Sequence, residues 1–427
     1  MDGSAVRFIS ALFAIITLMR ILIVTQYFWP ENFRITDLAL ALKDKGHEVT
    51  VLTGMPNYPT GQMYEGYSWW KKREEMMGGI PIVRVPLFLR RESRSWQLAL
   101  NYVSFVFSAC LLAPWYLRKK KFDVVFTYEV SPVTVGIPAI WMARLKKTPM
   151  LFWVQDLWPE TLEATGAIKS PMILSMVGRM VKSIYRGCDS ILVQSQSFVE
   201  PAVAVGAERK KIKYFPNWAE SLYRPVQLCE DAPEREKIPS AGFIVMFAGN
   251  LGEAQSLDTI VAAAKQLKDE NIHWVFLGDG RRRVWLEAVV EKQQLHKVHL
   301  LGSHAMERMP AYFSLADAML VTLKDDPVMA TTIPGKVQSY LACGKPVIGA
   351  LNGAGATVIE ESQAGYCVAS GDTEALARAV LKMSQLNAAE RQEMGRLARK
   401  YYEEHFDRDT LIQQLELWMM DACGAEK

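Results

Sequence analysis

Residues Phe243–Gly252 read FIVMFAGNLG, six mainly apolar residues that run into a glycine turn. A short apolar run bounded by glycine is typical of a buried strand. A helical pattern begins near Leu257, so the stretch predicts a strand–turn–helix unit. Glycine has no Cβ, which lets backbone N–H groups at such a turn approach a ligand closely. From spacing alone, a ligand-binding turn and an ordinary tight turn both remain open.

The same alternation of apolar runs and helical patterns extends in both directions and is interrupted once, at a proline-rich and charged segment. Alternating strands and helices indicate βαβ units. The prediction is an α/β protein with two facing Rossmann-like domains and ligands bound in an interdomain cleft. The predicted parts are an apolar extension (1–18), a first domain (19–219), a linker (220–241), a second domain (242–400) and a helical region (401–427).

Composition and residue spacing exclude some classes of partner and site. The net charge is +3, and no basic stripe interleaved with aromatic residues is present, so we expect no nucleic-acid partner. The six cysteines form no Cys-x-x-Cys pair, and we expect reduced thiols in a cytosolic protein. Asp407-Arg408-Asp409 has the spelling of a metal-binding D-x-D motif but lies in a charged helical region, so no metal site and no cofactor are predicted.

Glycine marks three predicted strand ends in the second half: 249–252, 278–280 and Gly302. Lys336 follows a loop and lies in the first turn of a short helix, where a cation and a helix N-terminus suit a diphosphate. These features predict a nucleotide-binding site that includes Gly249, Asn250, Gly252, Gly278, Asp279, Gly280 and Lys336. The run 281–283, three arginines, either reaches phosphate or forms a basic first helical turn at the surface.

An ordered set of motifs spans the chain: QYFWPE (26–31), GHEVTVLT (46–53), QDLWPE (155–160), GNLG (249–252), GDG (278–280) and ACGKPV (342–347). In these motifs the sequence resembles the retaining glycosyltransferase family four, from Met19 to about Asp407, and this resemblance implies that the two Rossmann-like domains form a GT-B fold. Within that family it is similar to the bacterial transferases of O-antigen and capsule synthesis, including N-acetyl-L-fucosamine transferases. The resemblance implies metal-independent sugar transfer with retention, a donor diphosphate held by the glycine loop and a basic residue, and an acceptor bound by the first domain.

The sequence departs from the family pattern at the donor site. The family's two glutamates, with seven residues between them, correspond here to Thr331 and Ser339, and a lysine after the glycine loop is replaced by Gln255. We therefore predict that Gln255, Thr332 and Ser339 contact the donor and that Lys336 stabilises the leaving diphosphate.

On the acceptor side, Asp156 and Glu160 follow a predicted strand and are the candidate catalytic carboxylates. Asp156, where many relatives have a histidine, would orient or deprotonate the acceptor hydroxyl. Capping of a turn by Asp156 and of a helix by Glu160 is the structural alternative.

We predict three partners: a nucleotide-sugar donor, a lipid-diphosphate-linked saccharide acceptor and a membrane surface. Trp96–Leu117 contains no charge and precedes Arg118-Lys119-Lys120-Lys121, which indicates a buried or membrane-surface helix, or else a true span. A basic amphipathic helix is predicted at Met172–Arg186. We expect a peripheral protein on the cytoplasmic face of the bacterial inner membrane. A UDP-sugar 2-epimerase and a non-catalytic membrane-associated scaffold are the alternative functions.

Overall fold

The computed structural model describes residues 18–69, 73–90, 95–164, 168 and 170–424. All of the predicted apolar extension except Leu18 lies outside them. The chain divides into two units, each with its own sheet. The first unit consists of residues up to Val193, Val199–Tyr214 and Ile412–Lys427, and the second of Gln194–Phe198 and Phe215–Leu411.

The first unit contains an eight-stranded sheet in the order β3-β4-β2-β1-β5-β6-β7-β8. Every neighbouring pair is parallel except β3 and β4. The central strands are continuous apolar runs, as expected for a parallel sheet that is covered on both faces. The strands are β1 (Arg20–Val24), β2 (Glu48–Gly54), β3 (Glu74–Met77), β4 (Ile80–Val85), β5 (Val124–Glu129), β6 (Met150–Val154), β7 (Ser190–Val193) and β8 (Ile212–Tyr214).

Crossover helices connect these strands. They are α1 (Arg34–Asp44), α2 (Ser95–Tyr116), α3 (Gly136–Lys146), α4 (Glu160–Ala164), α5 (Pro171–Arg186) and α6 (Val199–Val205). Among the described residues, α2 is the one helix long and apolar enough to cross a membrane. One side of α2 nevertheless packs within the unit, where Asn101, Phe105 and Ala109 are fully buried.

The second unit contains a six-stranded, all-parallel sheet in the order β11-β10-β9-β12-β13-β14. Both faces are covered, because alternate residues of one strand enter two different apolar clusters: Met246 points into one and Phe247 into the other. The strands are β9 (Phe243–Ala248), β10 (Ile272–Leu277), β11 (Val298–Gly302), β12 (Ala318–Thr322), β13 (Val347–Ala350) and β14 (Gly365–Val368).

The helices of the second unit surround this sheet. They are α7 (Leu257–Gln266), α8 (Arg283–Lys292), α9 (Met309–Ser314), α10 (Pro327–Thr331), α11 (Gly335–Ala342), α12 (Ala354–Glu361), α13 (Thr373–Gln385) and α14 (Ala388–His405). The predicted glycine turns follow β9 and β10, and Lys336 lies in the first turn of α11 as the sequence indicates.

The last helix, α15 (Arg408–Gly424), lies in the predicted C-terminal helical region 401–427, and from Ile412 onward it belongs to the first unit. Its buried carboxylate, Glu416, lies 2.8 Å from His47 Nε2 and 2.9 Å from Lys45 Nζ. The Cys423 thiol donates to the carbonyl oxygen of Asp123 at 3.2 Å. These contacts attach α15 to the segments that directly precede β2 and β5.

Candidate functional site

The turns after β9 and β10 pack backbone against backbone. Gly278 has a φ of +138°, and a Cβ placed on it would lie 1.9 Å from the carbonyl oxygen of Gly249. A Cβ on Gly280 would lie 2.4 Å from that of Leu251. The Gly278 N–H donates to the Gly302 carbonyl at 2.8 Å, so the three glycine-marked strand ends lie side by side. The two turns approach each other more closely than a side chain on Gly278 or Gly280 would permit.

Lys336 is the cation at this edge of the second sheet. Its Nζ lies 2.5 Å from Gln255 Oε1 and 3.9 Å from the centroid of the Phe247 ring. A Cβ on Gly249 would lie 3.5 Å from the same nitrogen. Burial lowers the pKa of the Lys336 ammonium to about 7. The partner of this ammonium is a neutral amide, so its charge is available to an anion.

Gln255 is held in place through its backbone. Its carbonyl oxygen accepts a hydrogen bond from the Thr322 hydroxyl, at the end of β12. The neighbouring carbonyl of Ala254 accepts from the N–H of Lys324 at 2.9 Å. Thr322 was not predicted from the sequence, although a polar residue at the carboxyl end of a buried strand is the signal that would have indicated it.

The hydroxyls at the two positions of the family's glutamates form hydrogen bonds within their own helices. Thr331 Oγ1 donates to the Val328 carbonyl at 2.7 Å, and Ser339 Oγ donates to the Gly335 carbonyl at 3.2 Å. The predicted contact Thr332 directly follows α10, and its N–H donates to the Met329 carbonyl at 3.2 Å. A donor contact would have to compete with these hydrogen bonds or use the remaining lone pairs of the hydroxyls.

The polar side chains of the glycine turns also have local neighbours. Asp279 Oδ1 accepts from the N–H of Gly280 at 2.7 Å. The Asn250 amide lies against Gly252 and Gly280, with Nδ2 at 2.7 Å from a Cβ placed on Gly252. These two residues therefore shape the turns.

In the three-arginine run 281–283, two members pair with carboxylates. Arg282 Nη1 lies 2.5 Å from Asp258 Oδ2, and Arg283 Nε lies 2.8 Å from Glu287 Oε1. The surface interpretation of the run fits these pairings better than a role in phosphate binding.

In the first unit, Asp156 lies just after β6 in a hydrogen-bonded cluster. Its Oδ2 accepts from the Ser131 hydroxyl at 2.7 Å, and that hydroxyl also accepts from Trp158 Nε1 at 3.1 Å. Burial raises the pKa of the Asp156 carboxyl, and the Ser131 hydrogen bond opposes this shift. A carboxylate with a raised pKa and a fixed orientation suits proton transfer.

Glu129, at the end of β5, was not assigned a role from the sequence. Its carboxyl accepts from the backbone N–H groups of Ser131, Gln155 and Asp156 at 3.1 to 3.2 Å. Burial, followed by the nearby Asp156 charge, raises the pKa of Glu129 well above its usual range. Glu129 therefore joins the loops after β5 and β6 and fixes the position of Asp156. An acidic residue at the end of a predicted strand was the sequence signal that could have identified Glu129.

Glu160 opens α4, four residues after Asp156. Burial raises the pKa of its carboxyl, and Oε2 has no hydrogen-bond partner within the described part of the chain. The structure thus places both predicted carboxylates after β6.

Glu31 organises two further loops at this end of the first sheet. Its Oε1 accepts from the N–H groups of Asn57 and Tyr58 at 2.8 and 2.7 Å, and its Oε2 from that of Phe28 at 3.1 Å. Burial raises the pKa of Glu31 to about 7. The loops carry stacked rings, with the Tyr27 and Phe33 centroids 5.4 Å apart.

Within the described ranges, no group of three or more His, Cys, Asp or Glu residues is placed to hold a metal ion. The D-x-D spelling at 407–409 belongs to the start of α15, where Asp407 Oδ1 accepts from the N–H of Thr410 at 2.9 Å. Metal independence stays a prediction.

The chain matches two protein-family models, one in each half. Residues 32–218 match the model of the glycosyl transferase 4-like domain, and residues 242–385 that of glycosyl transferases group 1. Over 313 residues the chain is 27% identical to WcaI of Escherichia coli K12, a protein named for glycosyl transfer in colanic acid biosynthesis. That match covers 71% of this chain and 75% of WcaI.

Two solved structures illustrate the shared fold. Anabaena HepE, in complex with UDP, superposes with a TM-score of 0.68 at 15% identity, covering 94% of this chain and all of HepE. WaaG, named as a glycosyltransferase involved in lipopolysaccharide biosynthesis, superposes with a TM-score of 0.62 at 15% identity, covering 93% of this chain and 98% of WaaG. Both units of the chain thus have counterparts in single known structures.

We predict that Gly278→Ala destabilises the second unit by at least about 2 kcal/mol, because the added methyl meets the Gly249 carbonyl at an unfavourable φ. Urea denaturation measures the loss. Gly178→Ala is the matched control, since a Cβ there meets no atom within 4 Å and lies in a helix, where alanine is favoured over glycine. Equal effects of the two substitutions would contradict the packing argument.

Proposed function

Because the chain is a GT-B glycosyltransferase, with a glycosyl transferase 4-like domain followed by a group 1 domain, we propose that it transfers a sugar from a nucleoside-diphosphate sugar to a polyprenyl-diphosphate-linked saccharide. The product would belong to a bacterial surface polysaccharide such as O-antigen or capsule. The donor is proposed to be UDP-linked, with N-acetyl-L-fucosamine or a related N-acetylated deoxyhexosamine as the sugar. The similarity to WcaI supports a surface polysaccharide as the product, and the UDP complex of HepE supports a UDP-linked donor.

The observation that carries the proposal is the enclosed ammonium of Lys336 among glycine-marked strand ends. A diphosphate next to Gly249 would meet backbone groups at a distance that only glycine allows and a cation whose present partner is the neutral Gln255. As the sugar C1–O bond breaks, negative charge develops on the leaving diphosphate. Lys336 would stabilise this charge, so the reaction is proposed to be independent of a metal ion.

Asp156 is proposed to act on the acceptor. A new bond forms between C1 and the acceptor oxygen as the bond to the diphosphate breaks, and the hydroxyl proton must leave. Asp156, oriented by Ser131 and supported through Glu129, would orient the hydroxyl or take its proton. Glu160 is a second carboxylate on the same segment. The products are a nucleoside diphosphate and a lengthened lipid-linked saccharide, with retained anomeric configuration.

The test is to incubate the purified protein with a panel of nucleotide sugars, with and without polyprenyl-diphosphate-linked N-acetylglucosamine. We expect UDP release that depends on the acceptor. Asp156→Asn should reduce turnover by about 100-fold or more while leaving UDP affinity unchanged. Asp269→Asn, at an exposed position, is the control and should retain full activity.

The other outcomes separate the alternatives. Conversion of the donor without any acceptor would indicate a UDP-sugar 2-epimerase. UDP binding without turnover of any donor would indicate a non-catalytic scaffold. Full activity of Asp156→Asn would contradict the assignment of this residue while leaving the transferase proposal intact.

Lys336 gives a pH-dependent prediction. Its pKa of about 7 in the free protein should rise when a diphosphate binds, because the anion favours the charged ammonium. Above about pH 7, binding therefore requires proton uptake, and UDP affinity should fall by up to about tenfold per pH unit. Isothermal titration calorimetry between about pH 7 and pH 9 avoids titration of the UDP phosphate, whose second pKa is about 6.

Two variants control the measurement. Lys336→Met should bind UDP weakly and without this pH dependence. Lys345→Met removes another enclosed lysine, whose Nζ donates to the Ser314 carbonyl at 3.2 Å, and should keep the pH dependence of the native protein. An unchanged pH profile in Lys336→Met would refute the assigned role.

A further inference from the structure

The outer side of α2 carries a continuous apolar stripe, although its inner side is buried. Exposed side chains recur every three or four residues, and Phe107, Leu111 and Trp115 are 69%, 62% and 64% exposed. The stripe extends about 28 Å along the helix axis. An apolar surface of this length is rare on a soluble protein and indicates a partner. The stripe consists of Trp96, Leu100, Val103, Phe107, Leu111 and Trp115.

The stripe continues onto two neighbouring helices. Trp141 Nε1 on α3 donates to the Cys110 carbonyl on α2 at 3.1 Å. A groove of ≈ 540 Å³ is lined by α2, α3 and α5, including Cys110, Trp141 and Met180. At its start, α5 exposes Met172 and Met176. We call the exposed apolar side chains of these three helices the apolar face.

The charged residues of the helices that form the apolar face have one sign. Helices α2, α3 and α5 contain no aspartate or glutamate, whereas α3 and α5 contain five basic residues: Arg144, Lys146, Arg179, Lys182 and Arg186. The run Arg118–Lys121 follows the end of α2, and Arg118, Lys119 and Lys121 are exposed. A second copy of the same surface would bring like charges together, whereas phosphates of anionic lipids would neutralise them.

We infer that the apolar face is a docking surface for a bilayer that contains anionic phospholipids. The stripe of α2 lies in the plane of the membrane surface, with Phe107, Leu111 and Trp115 inserted at the boundary between headgroups and acyl chains. The exposed arginines and lysines contact lipid phosphates. The helix does not span the bilayer, because its other side packs within the first unit.

The same helix connects this surface to the candidate acceptor site. On its inner side, Asn101 Oδ1 accepts from Gln26 Nε2 at 2.7 Å, next to the loop after β1. Tyr102 packs its ring edge-on against Trp158, whose indole N–H donates to Ser131 in the Asp156 cluster. The role of this docking rests on the proposed function, in which a lipid-linked acceptor would reach the site from the membrane surface that α2 contacts.

Co-sedimentation of the full chain with vesicles tests the inference, without donor or acceptor. We expect binding to vesicles of phosphatidylcholine mixed with phosphatidylglycerol, and about tenfold or more weaker binding to phosphatidylcholine alone. The double variant Phe107→Ser/Leu111→Ser should lose binding to the mixed vesicles by about tenfold or more. Val284→Ser replaces a valine that is 76% exposed on the second unit and should bind normally.

A second variant tests the contribution of the basic residues to vesicle binding. Arg179→Gln/Lys182→Gln should weaken binding to the mixed vesicles and leave any binding to phosphatidylcholine unchanged. Binding that is independent of phosphatidylglycerol, or that persists in the Phe107→Ser/Leu111→Ser variant, would overturn the inference, as would a native dimer that this variant dissociates. Vesicle binding is measured apart from turnover, so failure here and failure of the proposed function are distinguishable.

Discussion

The close backbone approach of Gly249 and Gly278 is the constraint on which the donor-side geometry depends. Parallel strands bring their carboxyl ends to one edge of a sheet, and at this edge any Cβ on Gly278 would overlap the Gly249 carbonyl. Lys336 Nζ lies beside this edge, 3.5 Å from a Cβ placed on Gly249. Gln255 and Phe247 contact the Lys336 ammonium, whose pKa burial lowers to about 7, and a bound anion would raise that pKa again.

The first unit uses a different means to hold polar groups at its strand ends. Buried carboxylates accept several backbone N–H groups at once: Glu129 joins the loops after β5 and β6, and Glu31 joins those after β1 and β2. Each carboxyl satisfies donors that would otherwise be buried without partners. Asp156 is thereby fixed in position while its own carboxylate contacts only the Ser131 hydroxyl among the hydrogen bonds described for it.

Local sequence patterns predicted the central strands of both sheets and several residues of the candidate site, but not the edge strands β3, β8 and β14. Apolar runs followed by glycine predicted β9, β10 and the turns between strand and helix, and the position of Lys336 in the first turn of α11 followed from the loop before it. Long-range pairing was not predictable in this way. Glu416 and His47 are 369 positions apart, and neither residue type indicates that the last helix belongs with the first unit. Hydropathy identified α2 but not which side of it is exposed, because that depends on packing against the sheet.

We propose that the second unit binds the donor at the glycine turns and at Lys336. Hydrogen–deuterium exchange of the full chain, measured with and without UDP, locates the bound nucleotide. We expect slower exchange in peptides that cover 247–255, 277–282 and 334–339, with the peptides around 129–131 and 156–160 unchanged by UDP alone. Protection by UDP confined to the first unit, or absent from the second, would contradict this proposal.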